Sequence, residues 1–272
     1  CNGNYNEPIR PKLTGEEKFN GKISHSQQYR SPESFTGQKV LVIGGGPSAV
    51  DLVQQISFVA QHVVISYHTK TTSTMEFRSN VSRKPDVLRI KDGEEIEFVD
   101  NSCDSFDSII YCTGYKCSFP FLDGSCGVTV DDDNIVRPLY KQVINIEKPT
   151  MCFIGIPIYG CAFQLFDLQA RFFCKYLTGA KSLPSPEEMR ADTEKMMKSH
   201  WAKGYTKRQT HFLGPEQQSY YDDLATTADI KSVAPLFSKL YIEALNRFYN
   251  DFQNFREDRY KIIDDESYVR EQ

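Results

Sequence analysis

The stretch Lys39–Val53, KVLVIGGGPSAVDLV, holds residues whose types and spacing could cradle a phosphate. Gly44, Gly45 and Gly46 are followed by Pro47, Ser48 and Ala49, giving the pattern G-x-G-x-x-A. Such a turn lets the backbone bend sharply at Gly44 and approach a pyrophosphate at Gly46, while Ala49 lets the following helix sit close to its strand. A helix start presents free N–H groups and the positive end of its dipole, both of which favour a phosphate. Pro47 suits the first helical turn, where its missing N–H costs nothing. The bland reading is a glycine-rich turn that binds nothing. The flanking elements argue for dinucleotide binding, because a lone glycine pattern is weak without them.

Those elements are a strand, a helix and a second strand. Val40, Leu41, Val42 and Ile43 form a short unbroken apolar run, as expected of a parallel strand buried on both faces. Val50, Val53 and Ile56 continue at helical spacing, and HVVIS (His62–Ser66) supplies the second strand. An NAD site has an acidic residue near the end of that second strand to hold the ribose 2′-OH. Here HVVIS runs into Tyr67, His68, Thr69 and Lys70, with no carboxylate. Polar groups and a lysine suit a 2′-phosphate, so NADP(H) is expected over NAD(H), with His68, Thr69 and Lys70 as candidate contacts. The competing reading is that Lys70 is a solvated loop charge.

Composition excludes several classes. At 272 residues the chain is long enough for two domains, or for one with a large insert. A net charge of −4 gives no electrostatic footprint for nucleic acid or an anionic membrane. No apolar run of membrane-spanning length occurs. The eight cysteines are scattered without a CxxC pair, which speaks against zinc and against a dithiol redox pair and fits reduced thiols in a cytoplasmic setting. The chain opens on Cys1, and CNGNYNEP reads as the interior of a fold, so we expect a fragment whose N-terminal part precedes it.

Further elements follow from pattern. VLRIKDGEEIEFVD carries an Asp92-Gly93 hairpin signal between two alternating runs. Ser108–Tyr111 and Met151–Ile154 read as strands, and residues 116–150 as irregular, with Asp131, Asp132 and Asp133 in a solvated turn. Helices are expected over Phe163–Leu177, from Pro186 through PEEMRADTEKMMKSHW, over Glu216–Leu224 and over Pro235–Phe252.

Two short segments complete the motif set. FNGKISHSQQY has the form F-x-G-x-x-x-H-x-x-x-Y, carried by Phe19, Gly21, His25 and Tyr29. YCTGYKCSFPFL delivers Thr113, Gly114 and Tyr115 to the end of a strand. With Gly44, Gly46, Ser48 and Ala49, these resemble the flavin-containing monooxygenase family over nearly the whole chain. Cys1-Asn2-Gly3 and Cys112-Thr113-Gly114-Tyr115 look like its crossings between FAD and NADPH domains. FIGIPIYGCAFQLFDLQARFFCKYLTGAKSLPS resembles its closing FAD-domain strand and helix, including Asp167, Gln169 and Ala170.

The resemblance implies an α/β fold: a two-dinucleotide-binding-domain flavoprotein with a Rossmann-like NADPH domain inserted in an FAD domain, the FAD domain incomplete here, and a helical C-terminal part. The implied division is 1–30 for the end of the first FAD segment and crossing, 31–115 for the NADPH domain and 116–272 for the remaining FAD domain. It implies FAD and NADP(H) as cofactors, with Asn2, Gly3, Thr113, Gly114, Tyr115 and Gln169 added to Gly44–Ala49 as binding residues. No residue is assigned a catalytic role, and His25 is read as architectural. The implied activity is of the N,N-dimethylaniline monooxygenase type: a C4a-hydroperoxyflavin oxygenates nitrogen or sulfur of a soft nucleophilic small molecule, with O2 as co-substrate. The family's FAD glycine fingerprint is expected upstream of Cys1, and its arginine contact to the 2′-phosphate has no obvious equivalent after HVVIS. A Baeyer–Villiger monooxygenase and a non-catalytic NADP-binding module stay open as alternatives, as does an oligomeric state; a flavin-linked disulfide reductase lacks its cysteine pair, since Cys112 and Cys117 are poorly spaced.

Overall fold

The computed structural model describes residues 5–68, 75–91, 93 and 95–271. The chain divides into two units, Cys1–Lys116 and Cys117–Gln272.

The first unit contains β1 (Glu7–Pro8), β2 (Lys22–His25), β3 (Lys39–Ile43), α1 (Pro47–Ser57), β4 (His62–Ser66), β5 (Val81–Lys84), β6 (Val87–Ile90), β7 (Glu95–Phe98), β8 (Cys103–Ser105), β9 (Ser108–Tyr111) and β10 (Tyr115–Lys116). Five strands form a parallel sheet in the order β2-β9-β3-β4-β5. The apolar run of β3 follows from its place in the middle. Val40 and Val42 face α1 in a core with Ala49, Val53, Ile56, Val63, Ile65 and Ile110. Leu41 faces the other way, against Val64, Ile90, Ile96, Phe98, Phe106 and Ile109. That second face is covered by the antiparallel sheet β6-β7-β8, in the place where doubly wound domains put helices. Each buried Val, Leu or Ile in these cores contributes roughly 1.5–3 kcal/mol. β6 and β7 pair with Ile90 opposite Ile96, as the hairpin signal predicts; Gly93 has φ +75°, and Asp92 lies outside the described residues.

The second unit contains β11 (Thr129–Val130), β12 (Val136–Arg137), β13 (Leu139–Tyr140), β14 (Ile144–Asn145), α2 (Ala162–Leu177), α3 (Pro186–Ala202), α4 (Gln217–Ala228), α5 (Pro235–Asn250), β15 (Arg259–Ile262) and β16 (Tyr268–Glu271). α2 buries Leu165, Leu168, Phe172 and Tyr176 at helical spacing, against Val143, Ile144, Met189, Tyr221 and Leu224. α3 starts with a capping box in which Ser185 and Glu188 bond each other's backbone N–H, with Pro186 at the first position.

Three expectations differ from the structure. Met151–Ile154 is not a strand: Cys152 makes one isolated bridge to Ile144, and the Phe153 N–H donates to the Val143 carbonyl, because β14 has turned after two residues. Residues 116–150 are not simply irregular, since β11–β14 form two small hairpins there. The boundary at residue 30 does not coincide with a structural break. β2 bonds β9 along its length, so Phe19–Tyr29 shares one unit with residues 31–116.

Candidate functional site

The three glycines have different physical causes. Gly44 sits at φ +126°, and a Cβ there would lie 2.3 Å from the Cys112 carbonyl oxygen at the end of β9. Its conformation and its contact both demand glycine. A Cβ on Gly45 would meet the Tyr67 ring at 3.0 Å. Gly46 is different: φ is −79°, and no atom lies within 4 Å of where its Cβ would be. The fold does not require a glycine at 46, whereas a ligand approaching the helix start would. The first α-helical bond runs from the Val50 N–H to the Gly46 carbonyl (3.2 Å), so the Ser48 and Ala49 N–H groups precede the ladder. Pro47 has no N–H, and no side chain caps this end. Ala49 is fully buried against the sheet, which brings the helix close to β3. Gly45, Gly46, Pro47 and Ser48 are exposed. The surroundings fit a pyrophosphate: open space at Gly46, two N–H groups ahead of the helical ladder and an uncapped dipole.

At the end of β4, the His68 imidazole is solvent-facing and its Nδ1 contacts the Asp86 carboxylate. Thr69 and Lys70 lie outside the described residues. Asp86 was not among the sequence candidates. No local motif marks it; the signal is the parallel register of β4 and β5, which sets Ser66 opposite Lys84 and so carries position 68 to position 86.

Residues 113–115 are engaged with the segment at residues 5–9. The Thr113 hydroxyl donates to the Ile9 carbonyl (2.5 Å), and the Ile9 N–H donates to the Gly114 carbonyl (2.9 Å). β1 and β10 pair antiparallel, Pro8 opposite Tyr115. The Tyr115 ring stands edge-on to Tyr5 and to His25, each at 5.1 Å. Asn2 and Gly3 lie outside the described residues.

The Phe19–Tyr29 motif locks β2 to its neighbours. A Cβ on Gly21 would meet the Asp107 carbonyl at 2.2 Å and the Phe19 ring at 2.7 Å. The Tyr29 hydroxyl donates to Gln55 Oε1 on α1 (3.0 Å). His25 is fully buried; its Nδ1 accepts from the Gln27 N–H (3.2 Å), and its Nε2 has no hydrogen-bond partner among the described residues. Burial pushes its pKa below the usual imidazole range, Arg10 adds to that, and the Gly114 carbonyl opposes it. A neutral, enclosed imidazole suits the architectural role.

In the second unit, Gln169 is fully buried and ties loop to helix. Its Oε1 accepts from the Gly155 N–H (2.8 Å) and its Nε2 donates to the Tyr220 hydroxyl (2.9 Å), which donates to the Lys141 carbonyl (2.7 Å). Its side-chain amide is thus held by the protein, as is the Thr113 hydroxyl.

Parallel sheet, glycine turn and open helix start place the first unit in the Rossmann-like α/β class. The chain matches the family model FMO-like (flavin-binding monooxygenase-like) over residues 1–79 and 72–244. It belongs to the flavin-binding monooxygenase-like family. Senecionine N-oxygenase of Tyria jacobaeae is 33% identical over 279 residues, covering 99% of this chain and 60% of that protein. Among solved structures, S-allyl-L-cysteine S-oxygenase from Allium sativum superposes with a TM-score of 0.83 at 33% identity, over 94% of this chain and 59% of that one. Tmm from Pelagibacter sp. strain HTCC7211 gives a TM-score of 0.80 at 26% identity, over 95% and 58%. The fold class is that of two-dinucleotide-binding flavin monooxygenases. The chain spans about 60% of the length of these relatives. Among the described residues, no helix is long and apolar enough to cross a membrane.

Proposed function

We propose that the protein acts as an NADPH- and FAD-dependent monooxygenase that oxygenates nitrogen or sulfur of soft nucleophilic small molecules, with O2 as co-substrate. Family membership supports the reaction class, and the names of two relatives, an N-oxygenase and an S-oxygenase, support the choice of atom. The observation that carries the cofactor part is the α1 start, where the glycine at 46 serves no packing need and the Ser48 and Ala49 N–H groups precede the first helical bond.

When bound, the nicotinamide and flavin supply the hydride and oxygen chemistry. The Ser48 and Ala49 N–H groups hold the pyrophosphate, Gly46 lets it approach, and Ala49 fixes the helix against β3. His68, Thr69 and Lys70 read the 2′-phosphate. Thr113–Tyr115 and residues 7–9 brace the ends of this unit through paired backbone. The buried Cys112 thiol, its pKa pushed up to about 12 by burial, is unsuited to thiolate chemistry, which disfavours a disulfide-reductase reading.

The test uses the FAD-loaded protein. NADPH bleaches the flavin band without O2, and admitting O2 with a tertiary amine or thioether yields N-oxide or sulfoxide in step with NADPH oxidised. Ester formation from a ketone, with no amine or thioether product, would favour the Baeyer–Villiger reading. Binding of NADPH without any flavin reduction would favour a non-catalytic module.

A further inference from the structure

We infer that Asp86 is a positioning residue for the adenosine 2′ end of the dinucleotide. Its carboxylate contacts His68 Nδ1, and in the imidazolium form, where both ring nitrogens donate, Nε2 is turned outward to donate to the 2′-phosphate. The inference rests on the NADPH reading above and assigns a residue that lies beyond the glycine turn and beyond the loop that follows β4.

The geometry gives Asp86 a fixed base. The Ser66 hydroxyl donates to the Pro85 carbonyl (2.7 Å), and the Tyr67 N–H donates to the Lys84 carbonyl (3.4 Å). From the other side, the Val99 N–H donates to the Asp86 carbonyl (2.9 Å). The backbone at 84–86 is thus fastened to the end of β4 and to the strand pair behind it. His68, by contrast, is 92% exposed and touches this anchored carboxylate. A mobile exposed imidazole loses rotamer freedom when it binds; one already held at Nδ1 loses less. A carboxylate on one ring nitrogen also fixes which nitrogen faces the ligand.

The neighbouring cations are engaged elsewhere. The Arg83 guanidinium donates to the Met75 carbonyl and lies over the Phe77 ring. Lys84 Nζ donates to the Ser102 hydroxyl (2.8 Å) and lies over the Phe98 ring. Arg83 is itself solvent-exposed but is committed to Met75 and Phe77, which leaves His68 beside the strand end where a dinucleotide's adenosine ribose sits. The sequence offers no carboxylate in the β4 turn, yet the fold delivers one laterally. It engages His68, so it orients a phosphate donor instead of accepting a ribose hydroxyl.

The experiment measures NADPH and NADH dissociation constants by calorimetry on the 272-residue chain, for wild type, Asp86→Asn, His68→Ala and the double variant. Asp86→Asn should weaken NADPH about tenfold, the size of one charge-assisted hydrogen bond, while NADH changes less than about twofold. His68→Ala should do the same, and the double variant should be no worse than either single one. Both side chains lie at the surface and Asn is isosteric with Asp, so the fold tolerates the changes. An unchanged NADPH-to-NADH ratio in Asp86→Asn, a tighter NADPH complex, or additive losses in the double variant would each overturn the inference. Failure of wild type to prefer NADPH, or to bind either nucleotide, would instead defeat the cofactor reading on which it rests.

Discussion

Gly44 and Gly46 stand two residues apart, and the structure predicts opposite consequences for replacing them. Gly44→Ala places a Cβ 2.3 Å from a backbone carbonyl at φ +126°. The unfavourable backbone conformation costs about 1–3 kcal/mol. Displacing the end of β9 adds about 1–3 kcal/mol. A loss near 3 kcal/mol corresponds to a fall in Tm of about 10 °C or more for a unit of this size. Gly46→Val puts its side chain into open space at an ordinary φ, so its stability cost is that of a poorer helix cap, about 0.5–1 kcal/mol. It blocks the approach to the Ser48 and Ala49 N–H groups, and two hydrogen bonds to a charged group are together worth about 3 kcal/mol or more. That corresponds to a loss of about two orders of magnitude in NADPH affinity. Urea or thermal unfolding reads the first quantity, and calorimetric titration with NADPH reads the second. A Gly44→Ala chain as stable as wild type, or a Gly46→Val chain that binds NADPH normally, would refute this division of roles.

Acid should destabilise the second unit through His211, whose Nε2 accepts from the Val136 N–H (3.0 Å) and whose Nδ1 meets Gln142 Oε1 at 2.7 Å. Burial pushes its pKa from 6.5 down to about 4, so the unfolded chain binds the extra proton between those values. Its contribution, at most about 3 kcal/mol, is complete above pH 6.5 and lost as pH falls toward 4; urea midpoints at several pH values in wild type and His211→Gln check the sign. Gln169→Leu should cost about 1–3 kcal/mol in the absence of any cofactor, because it removes the Oε1 acceptor of the buried Gly155 N–H and the Nε2 donor to Tyr220; unchanged unfolding would return Gln169 to a purely ligand-binding role. Tyr111→Phe removes the 2.6 Å donor to the Glu16 carboxylate at the end of β9 and should lower the stability of the first unit by about 1–3 kcal/mol, measured by urea unfolding.

Elements with a strong local period were readable from sequence. β3, α1 and β4 follow from an apolar run, a glycine turn and helical spacing, and α3 from its Ser-Pro-Glu-Glu start. Ser108–Tyr111 was readable as a strand because all four residues are buried between two parallel neighbours. Met151–Ile154 carries a similar apolar run, yet Met151 and Phe153 pack into a loop core with Leu139 and Ile156 while Ile154 is exposed, without a ladder. Strand periodicity does not distinguish the two. The C-terminal hairpin of β15 and β16 escaped notice because its strands are short, mixed in polarity and mostly exposed; it is held by the Leu236 N–H to the Asp265 carbonyl and by Arg247 on Asp258.

The site was legible in the same proportion. The glycine turn announces itself locally, but the distinct reasons for its glycines lie in Cys112 and Tyr67, brought in by other strands. Asp86 was invisible for the same reason: its relation to His68 exists only through the register of β4 and β5. Conversely, Gln169 and Thr113 sit in motif positions, and their side chains prove to be bonded to the protein itself.

The central claim is that a dinucleotide pyrophosphate rests on Gly46–Ala49, and amide hydrogen exchange across residues 44–50, with and without NADPH, tests it most directly. Ser48 and Ala49 precede the first α1 bond and should exchange fast in the free chain. Saturating NADPH should slow them markedly while leaving α3 and α4 unchanged. Bound NADPH with no added protection at these two amides, or with protection confined to the second unit, would contradict the account.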